Sequence, residues 1–453
     1  MRSGLGLGVV LVLLLGPALT GAGEETSGGL KVGFARVDIT PPVGAIMTGP
    51  RLDRSLGADD PLFAAALVAE SGGRAITIVG IDLVKIRRDL ADAAIDEASE
   101  RTGMDRDAVM ICPSHNHSSP FVPMGGPNNK EYLETLPGLI ADSIGAAYKA
   151  MEPARMLLGR SLVYGGHHNR RVVSKADGMV LNTWLTKLGD LEQTPQVLGT
   201  EGPIDPELWV ARFDALDGRM LGAMVNFTCH PSLHDRIRLK TLSADFPGVI
   251  ADQMAGAYGK EVVTVFTQGA AGNINPSVQF VSDWRERASV FGAAAVHAAK
   301  NATPIKGPIG VGYARRDVVV PCSDPASQRE GAVARLGWRA DSFDRVKRQA
   351  AEGPKTREVP VNAARIGPLG IASNAGELFV EWGIDIKRRS PFPHTVVSEL
   401  TNDWVGYEPT AGAFEHEGYE SLAGVNFVSL EGIEVLVDTA VELLEELWEE
   451  DRR

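Results

Sequence analysis

The sequence runs to 453 residues, 44% hydrophobic and 23% charged, which supplies apolar material for a sizeable core and excludes a disordered or low-complexity chain. A formal net charge of -13 with no basic cluster argues against nucleic acid or an anionic membrane surface as partner. Three cysteines, Cys112, Cys229 and Cys322, are too few for a disulfide framework in a chain this long.

Arg2, the Gly-interrupted apolar run Leu5 to Leu15 and the small residues through Ala22 have the shape of a secretory signal peptide over residues 1–22. The run is short for a bilayer span, so the expectation is a secreted or periplasmic protein with a polar linker at 23–30 and a single catalytic domain over 31–453. Strand patterns follow at Val32 to Thr40 and in a hairpin of Leu62 to Ala69 with Ala75 to Ile81 about a glycine turn. Arg88 to Thr102 reads as a helix stopped by Gly103. The apolar run Ala108 to Cys112 then delivers Pro113-Ser114-His115-Asn116-His117-Ser118-Ser119-Pro120. Two imidazoles at i and i+2 share one face of an extended segment, one placed to hold a metal and the other to carry a proton; the plainer reading is a polar turn after a strand.

Lys130 to Met151 reads as a helix and Ala154 to Val163 as a strand running into a polar loop, Gly165-Gly166-His167-His168-Asn169-Arg170-Arg171. Trp209 to Phe213 and Met220 to Phe227 flank Asp217-Gly218 as a hairpin, and the second strand ends at Thr228-Cys229-His230-Pro231. Cys112 and Cys229 read either as zinc thiolates or as small buried strand residues. Ala244 to Tyr258 is helical with an interruption at Pro247, and Glu261 to Phe266 is a strand. The glycine-rich loop Gln268 to Pro276 lacks the lysine and hydroxyl of a phosphate loop. Trp284 to Lys300 is a helix, Ile309 to Val320 a strand, and Ala326 to Ala351 a long charged helix. Short strands at Val361 to Ile366 and Leu369 to Ser373 precede Glu377, and Leu378 to Arg388 is a helix. Thr395 to Leu400 is a strand, Trp404 to Ala423 a loop bearing Tyr407 and Tyr419, and Leu430 to Glu449 a closing amphipathic helix. The fold class is therefore α/β, a mixed β-sheet core flanked by helices.

Two imidazoles, a carboxylate and room for water suit a hydrolytic zinc centre, where the ion brings a water near pKa 7. Asp82 and Asp245 read as carboxylates that orient a ligand histidine or as cap and turn residues; His234, four after His230, reads as a supporting or packing residue.

Several of these stretches resemble the catalytic domain of the neutral/alkaline non-lysosomal ceramidases, zinc amidases that cleave the N-acyl bond of ceramide. The similar stretches are Asp38-Ile39-Thr40-Pro41-Pro42, Asp60-Pro61-Leu62, Ser114-His115-Asn116-His117-Ser118, Asn226-Phe227 with His230-Pro231, Gly376-Glu377, Asn402 with Tyr407, and Tyr419-Glu420. The resemblance implies zinc held by His115, His230, Glu377 and Tyr407. It implies proton transfer or oxyanion stabilisation by His117, and assistance from Tyr419 and from Arg170, with Arg171 the adjacent alternative. Ceramide or a related N-acyl lipid is the implied substrate, attacked by zinc-bound hydroxide. The alternatives are another amide, an ester or a lactone, or a non-catalytic binding domain. Departures are Ser114 and Asn116 in place of threonines, Ala271-Gly272-Asn273 in place of a Cys-Gly-Asp core, and an end after the last helix where the family continues into an immunoglobulin-like domain.

Overall fold

The computed structural model describes residues 29–49, 52–124, 128–182, 196–236, 240–277, 283–324, 348 and 351–450. The expected leader, most of the linker and most of the charged helix at Ala326 to Ala351 lie outside the described residues.

Strands β1 (Lys31–Asp38), β2 (Phe63–Ser71) and β3 (Arg74–Ile81) form an antiparallel meander, and β4 (Val109–Pro113) adds parallel to β3 after the crossover helix α1 (Arg88–Thr102). Helix α2 (Lys130–Lys149) leads to β5 (Glu152–Leu162), which pairs with β1. Strands β10 (Glu207–Ala215), β11 (Met220–Phe227) and β12 (Val263–Gln268) continue the sheet from β5. With β14 (Thr303–Pro304) beside β5, the sheet has nine strands in the order β12-β11-β10-β5-β1-β2-β3-β4. A second sheet has the order β15-β16-β17-β19, with β15 (Val311–Pro321), β16 (Thr356–Ile366), β17 (Leu369–Ser373) and β19 (His394–Ser398).

Strand alternation builds the layers. Ala64, Ala66 and Val68 with Val79 and Ile81 face α1 and α2, whereas Ala65, Leu67 and Ala69 with Ile76 and Ile78 face Val311, Ile366 and Ile371 of the second sheet. Further along, Val210 and Val225 pack under α4 (Asp245–Tyr258) and α5 (Trp284–Lys300). The last long helix (Leu430–Glu450) covers the second sheet through Ile433, Leu436 and Leu444. The result is helix, sheet, sheet, helix. Each fully buried aliphatic side chain in these layers is worth about 1.5–3 kcal/mol.

Most expected elements stand where the pattern puts them, with three corrections. The loop expected at 165–171 contains β6 (His167–Asn169) and β7 (Arg171–Ser174). Strand β6 pairs with β13 (Ile274–Pro276), and β7 lies between β8 (Val180–Asn182) and β9 (Val197–Thr200). Pro247 does not interrupt α4: it occupies the first turn, where its missing N–H has no helical partner to lose. Glu377 and Tyr407 lie on β18 (Glu377–Leu378) and β20 (Tyr407–Glu408), a two-residue parallel pair. Helix α3 (Leu233–Arg236) follows His230, α6 (Val380–Arg389) follows Glu377, and α7 (Ala411–Glu415) follows Tyr407, which makes the closing helix α8.

Candidate metal centre and active site

The two histidines after β4 are delivered by backbone that keeps bonding beyond the strand end. Ser114 N donates to Ile81 O at 2.9 Å, Asn116 N to Leu83 O at 3.2 Å and His117 N to Pro231 O at 3.0 Å. Between these bonds His115 takes a left-handed conformation, φ 63°, which costs a non-glycine residue about 1–2 kcal/mol and turns its ring inward. Its Nδ1 donates to Val84 O at 2.7 Å. His230, three residues past β11, donates Nδ1 to Ala271 O at 2.7 Å. That second carbonyl belongs to the glycine-rich loop, held by Ala271 N donating to Glu399 Oε2 at 3.0 Å. The loop needs Gly272 for proximity: a Cβ there would stand 2.3 Å from the Glu377 carbonyl oxygen.

A carbonyl can only accept, so both Nδ1 atoms carry hydrogen, and in the neutral form of each ring Nε2 presents a lone pair. Those Nε2 atoms face each other at 3.0 Å. Glu377 Oε2 stands 3.2 Å from the first and 3.6 Å from the second, and it is buried without a hydrogen-bond donor. Three acceptors thus converge with no proton between them. Burial, with the Arg170 guanidinium beside it, pushes His230 down to about 3. Neutral imidazoles and an ionised carboxylate are the forms that bind metal. Ligands about 2 Å from a tetrahedral ion are roughly 3.3 Å apart, so a zinc-sized cation fits these separations.

His117 belongs to the same cluster, its Nε2 3.3 Å from His115 Nε2, and the three rings bring one nitrogen each within 4.8 Å of one another. It differs from the other two in keeping partial exposure. Burial holds it well below its ordinary range, so it is neutral. Tyr407 is brought beside Glu377 by the β18–β20 register. Burial and then Glu377 push its phenol well above the usual range, so a phenolate there requires a cation. Tyr419 stacks edge-on against Tyr407 with centroids 5.6 Å apart.

The two adjacent arginines part company. Arg170 Nη1 reaches within 3.3 Å of His230 Nε2, and its guanidinium stands 5.3 Å from the Tyr407 ring centre. Arg171 turns the other way, donating to Glu201 and, through Nη2, to Glu417 O at 2.7 Å. Glu420 accepts from both, Arg170 Nε at 2.8 Å and Arg171 Nη1 at 2.7 Å.

All the expected site residues therefore gather at one place. Sequence reasoning missed Trp404, whose Nε1 donates to Glu377 Oε1 at 3.1 Å, and Glu399, which backs the carbonyl that orients His230. A tryptophan within a polar loop was the available signal for the first; nothing in the local pattern marks the second. Asp82 and Asp245 take the plainer of their readings. Asp82 accepts from Phe63 N at 2.8 Å, and Asp245 accepts from His234 N and Phe246 N. His234 lies buried between Ser118 Oγ at 2.9 Å and Asp59 Oδ2 at 3.0 Å, supporting the His117 loop from behind. Cys112 and Cys229 are buried; the Cys112 sulfur accepts from the Thr401 hydroxyl at 3.6 Å, the Cys229 sulfur donates to the His230 carbonyl at 3.7 Å, and neither belongs to the group of converging metal-ligating side chains.

No family model matches the chain. The neutral ceramidase of Pseudomonas aeruginosa is 23% identical over 266 residues, 55% of this chain and 37% of that protein, so the match spans little more than a third of the relative. A crystal structure of neutral ceramidase from Pseudomonas aeruginosa superposes with a TM-score of 0.69 at 20% identity, covering 92% of this chain and 75% of that one. A ceramidase complexed with C2 superposes with a TM-score of 0.72 at 19% identity, covering 93% and 76%. Sequence match and shared fold together relate the chain to the neutral ceramidase family.

Proposed function

We propose that this protein is an exported zinc-dependent amidohydrolase that cleaves the N-acyl amide of ceramide or a related N-acyl lipid. The observation that carries the reading is the convergence of His115 Nε2, His230 Nε2 and Glu377 Oε2 with no donor among them. His115, His230, Glu377 and Tyr407 would hold the ion, which supplies Lewis acidity and lowers the pKa of a water to about 7. Export rests on the leader pattern at residues 1–22.

The protein's own groups account for the rest of the chemistry. Arg170 stays charged: burial works against it, but the facing Tyr407 and Glu420 outweigh that. It lies beside His230, where a fixed cation offsets negative charge growing on a carbonyl oxygen. His117, neutral and partly exposed, accepts a proton at Nε2 and returns it to the departing amine. Tyr419 stacks against Tyr407, the ring that the Arg170 guanidinium also faces. Val84 and Ala271 keep the two ligand rings in one tautomer.

The test is product identification by mass spectrometry after incubation with N-acyl lipids, with a chelator-treated control, alongside metal analysis of the wild type and His230→Ala. The expected result is fatty acid and free amine from the untreated protein, with stoichiometric zinc lost together with activity in the variant. Purification without a bound divalent ion under non-chelating conditions would overturn the reading.

A further inference from the structure

Lys85 follows Val84, whose carbonyl orients His115. Its Nζ lies 3.3 Å from the centre of the Trp404 ring, and Trp404 donates Nε1 to Glu377 Oε1. One indole therefore separates this ammonium from the carboxylate of the donor cluster. His115, His230, Glu377 and Tyr407 are buried, whereas Lys85, His117, Trp404 and Tyr419 keep partial exposure.

The charged groups that face Lys85 are Glu377, Arg357, Arg87 and Asp403. Asp403 is committed to Arg357 Nη2 at 3.2 Å and to the Trp404 amide at 2.7 Å. Arg87 is committed to Asp89 at 2.5 Å and to Pro123 O at 2.9 Å. Glu377 gives one oxygen to Trp404 and the other to the histidine cluster. No carboxylate among the described residues forms an ion pair with Lys85, and its close partner is the face of an indole. Burial pushes the ammonium down to about 8, as expected for a cation short of a counter-ion. By contrast, the recess lined by Arg160, Glu207, Trp209, Lys387 and His394 beside β5 and β10 has its charges matched internally, Lys387 to Asp205 at 2.6 Å and Arg160 to Glu207.

We propose that Lys85 recognises an anionic group that the substrate carries next to its scissile amide, which makes N-acyl amino acids the favoured substrate class over neutral N-acyl amino alcohols. The inference rests on the amidase reading above for its chemistry, and on Lys85 and Trp404 alone for its specificity. In an N-acyl glycine the carboxylate is two bonds from the amide nitrogen. In the proposed binding mode the amide sits on the donor cluster and that carboxylate at the Lys85 ammonium, one indole away. A neutral hydroxyl in its place leaves Lys85 half-desolvated and unmatched.

The experiment compares N-lauroylglycine with its neutral counterpart N-lauroylethanolamine on the full chain, as wild type, Lys85→Met and Lys85→Arg. Hydrolysis is measured on the zinc-loaded protein, and binding by calorimetry on chelator-treated protein, where no turnover occurs. The wild type is expected to favour the glycine conjugate about tenfold in kcat/KM, mainly through KM, and in affinity. Lys85→Met should lose that preference, the kcat/KM ratio of the glycine conjugate to the neutral amide falling about tenfold, and Lys85→Arg should keep most of it. Equal handling of the two amides by the wild type, or a preference that survives Lys85→Met, overturns the proposal and leaves the amidase reading standing. A Lys85-dependent binding preference without cleavage of either amide supports the anion site and overturns the amidase reading. Neither binding nor cleavage overturns both.

Discussion

Glu420 is fully buried and is the shared counter-ion of two buried arginines, with Asn182 Nδ2 donating to both of its oxygens at 2.8 and 2.9 Å. Burial pushes its carboxyl up, and Arg170 and Arg171 more than reverse that and hold it below the usual range. Removing one member of such a group leaves the others charged in a low-dielectric interior, so Glu420→Gln should destabilise the protein by roughly 3–5 kcal/mol in urea unfolding. Glu201→Gln should cost less, since Arg171 keeps Glu420 and the Glu417 carbonyl. Equal losses in the two variants would show that Glu420 is not the common counter-ion. The same geometry shows why the choice between Arg170 and Arg171 was not legible in the sequence. Successive side chains on extended backbone point to opposite faces, so one residue of register decides which arginine meets His230. The stretch 165–171 is too short and polar to reveal that it is extended.

At the scale of elements, the site hangs on β4, the strand at one edge of the nine-stranded sheet. Its open side is closed by Asn402 rather than by another strand: the backbone amide donates to Ile111 O at 3.0 Å, and the side chain adds two bonds, accepting from Ile111 N at 2.8 Å and donating to Val109 O at 3.0 Å. Asn402 also has φ 63°, a region that asparagine tolerates better than most residues. Asn402→Ala removes both bonds and adds backbone strain, whereas Asn402→Gly removes the bonds and relieves the strain. We expect the alanine variant to lose about 2–4 kcal/mol, near 1–2 kcal/mol more than the glycine variant, with faster hydrogen exchange at the Ile111 amide in both. Unchanged exchange at Ile111 would mean that the edge is protected by something else. Long elements were legible because they carry several periods: the boundaries of α1 and α5 coincide with the sequence pattern. The β18–β20 pair was not, since two residues carry no periodicity and only the fold brings Glu377 opposite Tyr407. The candidate residues themselves came from the resemblance and from where apolar runs stop; the missed Glu399 acts through a backbone amide in a different loop, a contact no local pattern encodes.

Across the whole molecule, the donor set is assembled from segments far apart in the chain. His115 leaves the edge of the large sheet at β4, His230 leaves β11 near its other edge, and Glu377 and Tyr407 come from the connections around the second sheet. An ion on these side chains would tie both sheets and both ends of the larger one through a single point, and the unfolded chain would offer no comparable site. Binding to the folded state alone adds stability that grows with the logarithm of free ion, about 4 kcal/mol when free zinc is a thousandfold above Kd. Dialysis against a chelator should therefore lower the melting temperature, and zinc added back should restore it in proportion to log concentration. His230→Ala should melt lower than the loaded wild type and show no further response to chelator, because the converging acceptors that create the demand for a cation are no longer complete. A melting temperature indifferent to chelator in the wild type would mean that the packed layers alone hold these side chains together, and that their convergence is structural rather than a binding site.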